Sequence, residues 1–238
     1  MNTYYSEVPQ RLCAYRKALK MTQTEMSERL GVKQDHYSRL ESGKTLLSYR
    51  NLLCFMRSGG DIYYLITGKE RYTGVLDVYL DNFKRLRDKV EIVKLILWTT
   101  YQGASYEKSN EVYEIKRAWK HIELIENEKK TNSIWKNIRN VEGVSQQRMA
   151  ERLDINIKRY QRMENLRTKP DAEILHSLFF DLGYSPLVMM KQDMFYLDEI
   201  NKIWDGFPEK TRERLEGVIE QGIKLMEESG SASKWSVY

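Results

Sequence analysis

Apolar residues along this chain of 238 residues recur three and four positions apart instead of alternating, which is the period of amphipathic helices and not of strands. From Met21 to Glu41, Met26, Leu30 and Val32 mark the buried side of one short helix, and Tyr37 and Leu40 mark that of a second. Asp35, Ser38, Arg39 and Ser42 are left facing outward. Thr22 is placed to cap the first of these helices, Glu25 to close a capping box with it, and Gly31 to end it. A preceding helix over residues 1–20 is predicted from Val8, Leu12, Tyr15 and Leu19, with Ser6 as its cap and Pro9 near its opening turn. Ser48 starts a fourth helix through Arg57, burying Leu52, Leu53, Phe55 and Met56. Gly59-Gly60 stops it before a fifth, from Asp61 to Thr67.

The same pattern returns 123 residues on, from Val144 to Glu164. Gln23, Met26, Glu28, Arg29, Leu30, Tyr37 and Gly60 are matched by Gln146, Met149, Glu151, Arg152, Leu153, Tyr160 and Gly183. Caps are expected at Ser145, Asn156 and Asp171, with Ser185-Pro186 opening a fifth helix. Between the copies, Leu76, Tyr79, Phe83, Leu86, Val90, Val93 and Leu97 form a heptad-like seam. A turn is expected in the TYQGAS stretch at 100–105, and Val112, Ile115, Trp119 and Ile122 form a second helical face. An antiparallel hairpin is the plainer reading; a long dimeric coiled coil is the alternative, and the seam's apolar edge offers a homodimer interface. At an offset of 121, Leu197-Asp198, Ile200, Trp204 and Phe207 echo Leu76-Asp77, Tyr79, Phe83 and Leu86, with Pro208-Glu209 opening a last helix. The expected organisation is therefore all-α: a five-helix domain at 1–68, a helical hairpin at 75–129, a second five-helix domain at 131–190 and a C-terminal helical hairpin at 191–230.

Gln23, the run Leu30-Gly31-Val32 and the run Arg39-Leu40-Glu41-Ser42-Gly43-Lys44 resemble the signature of the lambda repressor and Cro, or XRE, family of helix-turn-helix regulators. That resemblance implies repressor-like domains that bind double-stranded DNA, with the second helix of each motif in the major groove and the Gln at the start of the first on phosphate. It also implies buried ion pairs, Arg16 with Glu41 and Arg139 with Glu164, belonging to the fold. The second copy departs from the pattern at Asp154 and Leu166, which replace Gly31 and Gly43. Leu tolerates a left-handed backbone poorly, so the loop after that copy's recognition helix is expected to take another path.

On the first copy the residues expected to meet DNA are Gln23, Lys33, Gln34, Asp35, His36, Ser38, Arg39 and Lys44. On the second they are Gln146, Asn156, Lys158, Arg159, Gln161 and Arg162. Asp35 stands four residues before Arg39, a spacing that more often serves an ion pair than a base contact. The second face carries no acid.

Charge sharpens this picture only modestly. The net charge is +5, with Lys and Arg outnumbering Asp and Glu by 10 to 6 in residues 1–68 and by 9 to 7 in 131–190, whereas 191–238 is acidic, at 7 to 10. Cys13 and Cys54 read as small buried hydrophobes in a reducing compartment. No run of eighteen apolar residues occurs, and the expectation is a soluble cytoplasmic protein without a membrane segment. His36, His121 and His176 are scattered singly, and neither a phosphate loop nor a nucleophile signature is present, so no enzyme, metal or cofactor is expected. The expected function is that of a transcriptional repressor. The alternative is a protein-binding module, an antitoxin or an inhibitor, with one copy for DNA and the other for a protein partner.

Overall fold

Capping side chains delimit most of the helices that position the outward faces. The computed structural model describes residues 7–127, 133–190 and 195–229, and among these the secondary structure is helical throughout, without strands. The chain divides into two compact units, each made of two segments: residues 1–70 with 130–192, and residues 71–129 with 193–238.

In the first unit, helix α1 runs Glu7–Ala18 and buries Val8 and Leu12. It stops earlier than the periodicity predicts. Lys20 turns left-handed at φ 56°, which leaves Leu19 outside the helix and 42% exposed. Ser6 lies outside the described residues. Helix α2, Gln23–Leu30, carries the expected Thr22/Glu25 capping box and ends on Gly31 at φ 64°. Helix α3, Gln34–Glu41, buries Tyr37 and Leu40 completely. Helix α4, Tyr49–Arg57, begins with Ser48 and Asn51 in a capping box; Leu52 and Phe55 are buried, Leu53 and Met56 half-buried. Gly59 takes φ 89°, and Gly60 is needed for space, since a Cβ there would lie 2.3 Å from the Phe55 ring. Helix α5, Ile62–Thr67, is capped by Asp61, and Arg11 donates to its last carbonyls at Leu65 (2.8 Å) and Ile66 (2.9 Å).

The second segment of this unit holds α9 (Ile134–Val141), α10 (Gln146–Arg152), α11 (Ile157–Glu164) and α12 (Ala172–Phe180), with Ser145, Asn156 and Asp171 capping the last three. Two expectations are corrected here. The loop after α11 keeps the path of its counterpart after α3: Leu166 sits at φ 60° where Gly43 sits at 74°, and Asp154 at 52° where Gly31 sits at 64°. The left-handed backbone at Leu166 is held by bonds from Leu166 N to Met163 O and from Arg167 N to Arg162 O, and it costs about 1–2 kcal/mol of strain. The fifth element is a 3-10 turn over Pro186–Met190, with Val188 N donating to Ser185 O three residues back at 3.2 Å. The left-handed glycines after α4 and α12 are Gly59 and Gly183, one residue out of the 123 register.

The two segments of the unit share a core. Helix α5 packs against α12 and against the 3-10 turn. Tyr63 meets Phe179 edge-on at 5.7 Å, Ala172 N donates to Leu47 O at 2.9 Å, and the Tyr49 hydroxyl donates to Met189 O at 3.1 Å. Ile66, Phe179, Val188 and Met189 are all buried, each contributing about 1.5–3 kcal/mol, enough to hold the segments as one body.

In the second unit, helix α6 (Val75–Asp81) is separated from α7 (Leu86–Tyr106) by a break at 82–85, so the heptad seam is not one helix. The TYQGAS stretch is helical and not a turn. The hydroxyls of Thr99 and Thr100 are satisfied by Leu95 O and Ile96 O, one helical turn back. Gly103 is a packing residue whose Cβ would come within 2.6 Å of Leu215. The chain turns after α7 instead, at Glu107 and left-handed Lys108, before α8 (Val112–Asn127). Helices α13 (Asp198–Asp205) and α14 (Glu209–Ser229) complete the unit. Val90, Val93 and Leu97 lie in one core with Ile115, Ile200, Trp204 and Ile219, so most of the seam is covered by the chain's own helices; Leu86 stays exposed. Asn201 supplies a cap from a distant part of the chain, accepting from Leu76 N at the start of α6 and donating to Asp77.

Candidate nucleic-acid interface

Each outward helix is anchored by a carboxylate at its own C-terminal end. In the first copy, Arg16 grips Glu41 with two bonds, of 2.7 and 3.2 Å, and also donates to Met21 O. Gln23 Nε2 and the Tyr37 hydroxyl donate to the same carboxylate, at 2.6 and 3.1 Å. Burial pushes the Glu41 carboxyl up, but the bonds from Arg16, Gln23 and Tyr37 outweigh it and hold the group below its usual range. The segment 123 residues on shows the same bonds: Arg139 reaches Glu164 twice at 3.0 Å, Gln146 Nε2 donates to Glu164 at 3.2 Å, and the net effect again lowers the carboxyl. Both expected ion pairs are present, and they fix the angle of α3 and α11 against the helices beneath.

The two glutamines expected on phosphate thus already use one amide N–H each inside the network, and the second N–H of each remains to donate outward. Around Glu164 the network goes one residue further. Gln161 Nε2 donates to Gln146 Oε1 at 3.2 Å, which makes a chain from Gln161 through Gln146 and Glu164 to Arg139. Ser38 occupies the corresponding place on α3 and is not joined to Gln23 by any such bond.

On α3 and its flanks, Lys33, Gln34, Asp35, Arg39 and Lys44 are exposed, and His36 and Ser38 are half-buried. Among the described residues no ion pair joins Asp35 to Arg39, against the expectation from their spacing. Both side chains point into solvent, where an exposed pair gains too little to hold two flexible side chains together. On α11, Lys158, Gln161 and Arg162 are exposed. Asn156 accepts from Arg159 N through its Oδ1, at 2.8 Å, as the helix cap. The half-buried Arg159 is tied to Asp171, which neutralises much of its charge for any outside partner.

One residue that the sequence reading passed over is Arg167. It is exposed, and it stands at the position of Lys44 plus 123. Since Leu166 keeps the glycine-like path, Arg167 follows α11 as Lys44 follows α3. The repeat register was the signal that could have found it. His121 and His176 are buried, and Cys13 and Cys54 are half-buried free thiols. Among the described residues no helix is long and apolar enough to cross a membrane.

Residues 14–53, from within α1 to within α4, match the family model described as Helix-turn-helix, of the XRE type. Neither the curated proteins nor the solved structures contain a match to this chain. The family match and the anchored, outward-facing α3 agree on one statement: residues 14–53 form an XRE-type DNA-binding helix-turn-helix of the kind used in transcription regulation.

Proposed function

We propose that the protein is a sequence-specific regulator that binds double-stranded DNA through two helix-turn-helix copies, 1–68 and 131–190, with α3 and α11 as the helices that enter the major groove. The observation that carries this reading is the second copy's face. It repeats the buried anchor of the first, exposes Lys158 and Arg162 four residues apart with no acid between them, and holds Gln161 in place through the anchor itself. A positioned amide and a guanidinium are the groups that read adenine and guanine edges. Gln23, Gln146, Lys44 and Arg167 supply phosphate contacts. Repression is the sign of regulation that the family resemblance implies, and an occupied site that blocks access to the duplex is the simplest way to exert it.

The protein-partner alternative rests on the loss of both turn glycines in the second copy. Asp154 and Leu166 take the glycines' backbone path, so DNA is the reading kept for both copies. The test is selection of bound duplexes from a random pool by the intact protein and by Arg162→Ala. A recovered motif that loses its preference at one base position in the variant supports the reading; a pool that stays random with the intact protein at low salt overturns it.

A further inference from the structure

Direct contact between the copies has a consequence for the DNA they would bind. Helix α5 lies on α12 and the 3-10 turn, Tyr63 packs on Phe179, and the loop after α3 is bonded to the start of α12 through Leu47 O and Ala172 N. Lys169, in the loop after α11, lies 5.7 Å from the centre of the Tyr49 ring at the start of α4. These contacts use the fourth and fifth helical elements and the loops leading to them, and they leave Gln34, Asp35 and Arg39 of α3 and Lys158, Gln161 and Arg162 of α11 in solvent. The two recognition helices therefore belong to one compact unit, although 59 residues of the other unit, 71–129, intervene in sequence.

Their faces are not alike. Arg39 and Arg162 correspond, but Asp35 faces Lys158 in the alignment, His36 faces Arg159, and Ser38 faces Gln161. We infer that a single chain, binding alone, reads an operator of two unlike half-sites in fixed order and spacing, the spacing being set by the contact of α5 with α12 and the 3-10 turn. This rests on the DNA-binding reading above. It differs from a symmetric dimer on a palindrome, in which both half-sites meet the same side chains. The one feature the half-sites should share is a guanine opposite Arg39 and Arg162.

Rigid linkage and flexible tethering make different predictions when spacing changes. Inserting about five base pairs, half a helical turn, carries the second half-site to the other side of the duplex. A rigid pair then engages only one half-site and loses the advantage of bivalency, about 100-fold in affinity. The experiment takes the selected duplex and the intact protein, measures the mass of the complex in solution, and compares affinity with and without the insertion. One chain per duplex, two unlike half-sites and a loss of about 100-fold are expected. A palindromic motif occupied by two chains, a single half-site, or an insertion without effect overturns the inference while leaving DNA binding intact, whereas a pool that stays random overturns both. Phe179→Ala, used after circular dichroism shows retained helix, should narrow the gap between the two spacings; an unchanged gap would mean that this contact does not set the spacing. If that variant is unfolded, the insertion on the intact protein still decides.

Discussion

Leu166 pays for a backbone conformation that glycine adopts freely. Its side chain is 49% exposed, so burial returns little of the strain. Leu166→Gly should stabilise the protein by about 0.5–1 kcal/mol, the relief of strain being partly offset by the greater chain entropy of glycine when unfolded, and urea denaturation measures it. The anchoring pairs act in the opposite direction: Arg139→Ala leaves Glu164, which is 6% exposed, without its main partner and should cost about 3 kcal/mol by the same measurement. The carboxyls of Glu41 and Glu164 are lowered in the folded protein, so the stability they contribute is complete above the ordinary glutamate range and is lost as pH falls through the lowered values. His121 works in a separate window. It is fully buried, stacked on Tyr196 at 4.9 Å, and burial lowers its pKa to about 4. The unfolded chain takes up this proton near pH 6.5 and the folded one does not. Stability should therefore fall by about 2 kcal/mol between pH 7 and 5, and His121→Gln should flatten that slope.

Helices α3 and α11 share a scaffold and differ in what they present. Arg162→Ala should relax preference at one base position by about 1–3 kcal/mol, read by binding-site selection at fixed salt. Arg39→Ala should relax the corresponding position of the other half-site. Its half-site should carry less information overall, because Asp35 brings a negative charge toward phosphate beside it. The glutamines at the starts of α2 and α10 should behave differently from each other. Gln23→Ala should weaken binding evenly across sequences, as loss of a phosphate contact does. Gln146→Ala should also blur the base preference of α11, since it removes the group that orients Gln161. Equal and uniform loss in both variants would mean that the Gln146 to Gln161 bond has no part in recognition.

For the whole molecule, contacts from two copies should make affinity steeply salt-dependent, with log K falling by about 0.9 for each phosphate neutralised per unit of log salt. Titrations at several salt concentrations give the slope, and a slope near zero would be incompatible with groove binding by these cations. The second unit should not set the distance between the recognition helices if the direct contact of α5 with α12 does. Its core is assembled from segments that follow each copy in sequence, and most of the seam expected to face a second chain is closed by α8, α13 and α14. Weakening that core, as by Val93→Ala, should lower stability without changing the preferred spacing of half-sites. A shifted spacing in that variant would move the role to the second unit.

The amino-acid sequence by itself determined what depends on neighbours within a turn or on an internal copy. Thr22 with Glu25, Ser48, Asn156 and Asp171 announce helix starts because a capping side chain bonds to a backbone group within three residues. The Arg16–Glu41 and Arg139–Glu164 pairs were implied by the family resemblance, and their recurrence at the same separation supported it. Tertiary structure decided whatever depends on distant partners. Gly103 looks like a turn until Leu215 and Phe207 are seen against it, and Thr100 looks like a turn residue until its hydroxyl finds the Ile96 carbonyl along α7. Leu166 keeps a left-handed path that propensity argues against, because the bonds closing the end of α11 hold it there. The grouping of 1–70 with 130–192, and of 71–129 with 193–238, was equally hidden. Periodicity tells which face of a helix is buried, but only packing tells which other segment buries it.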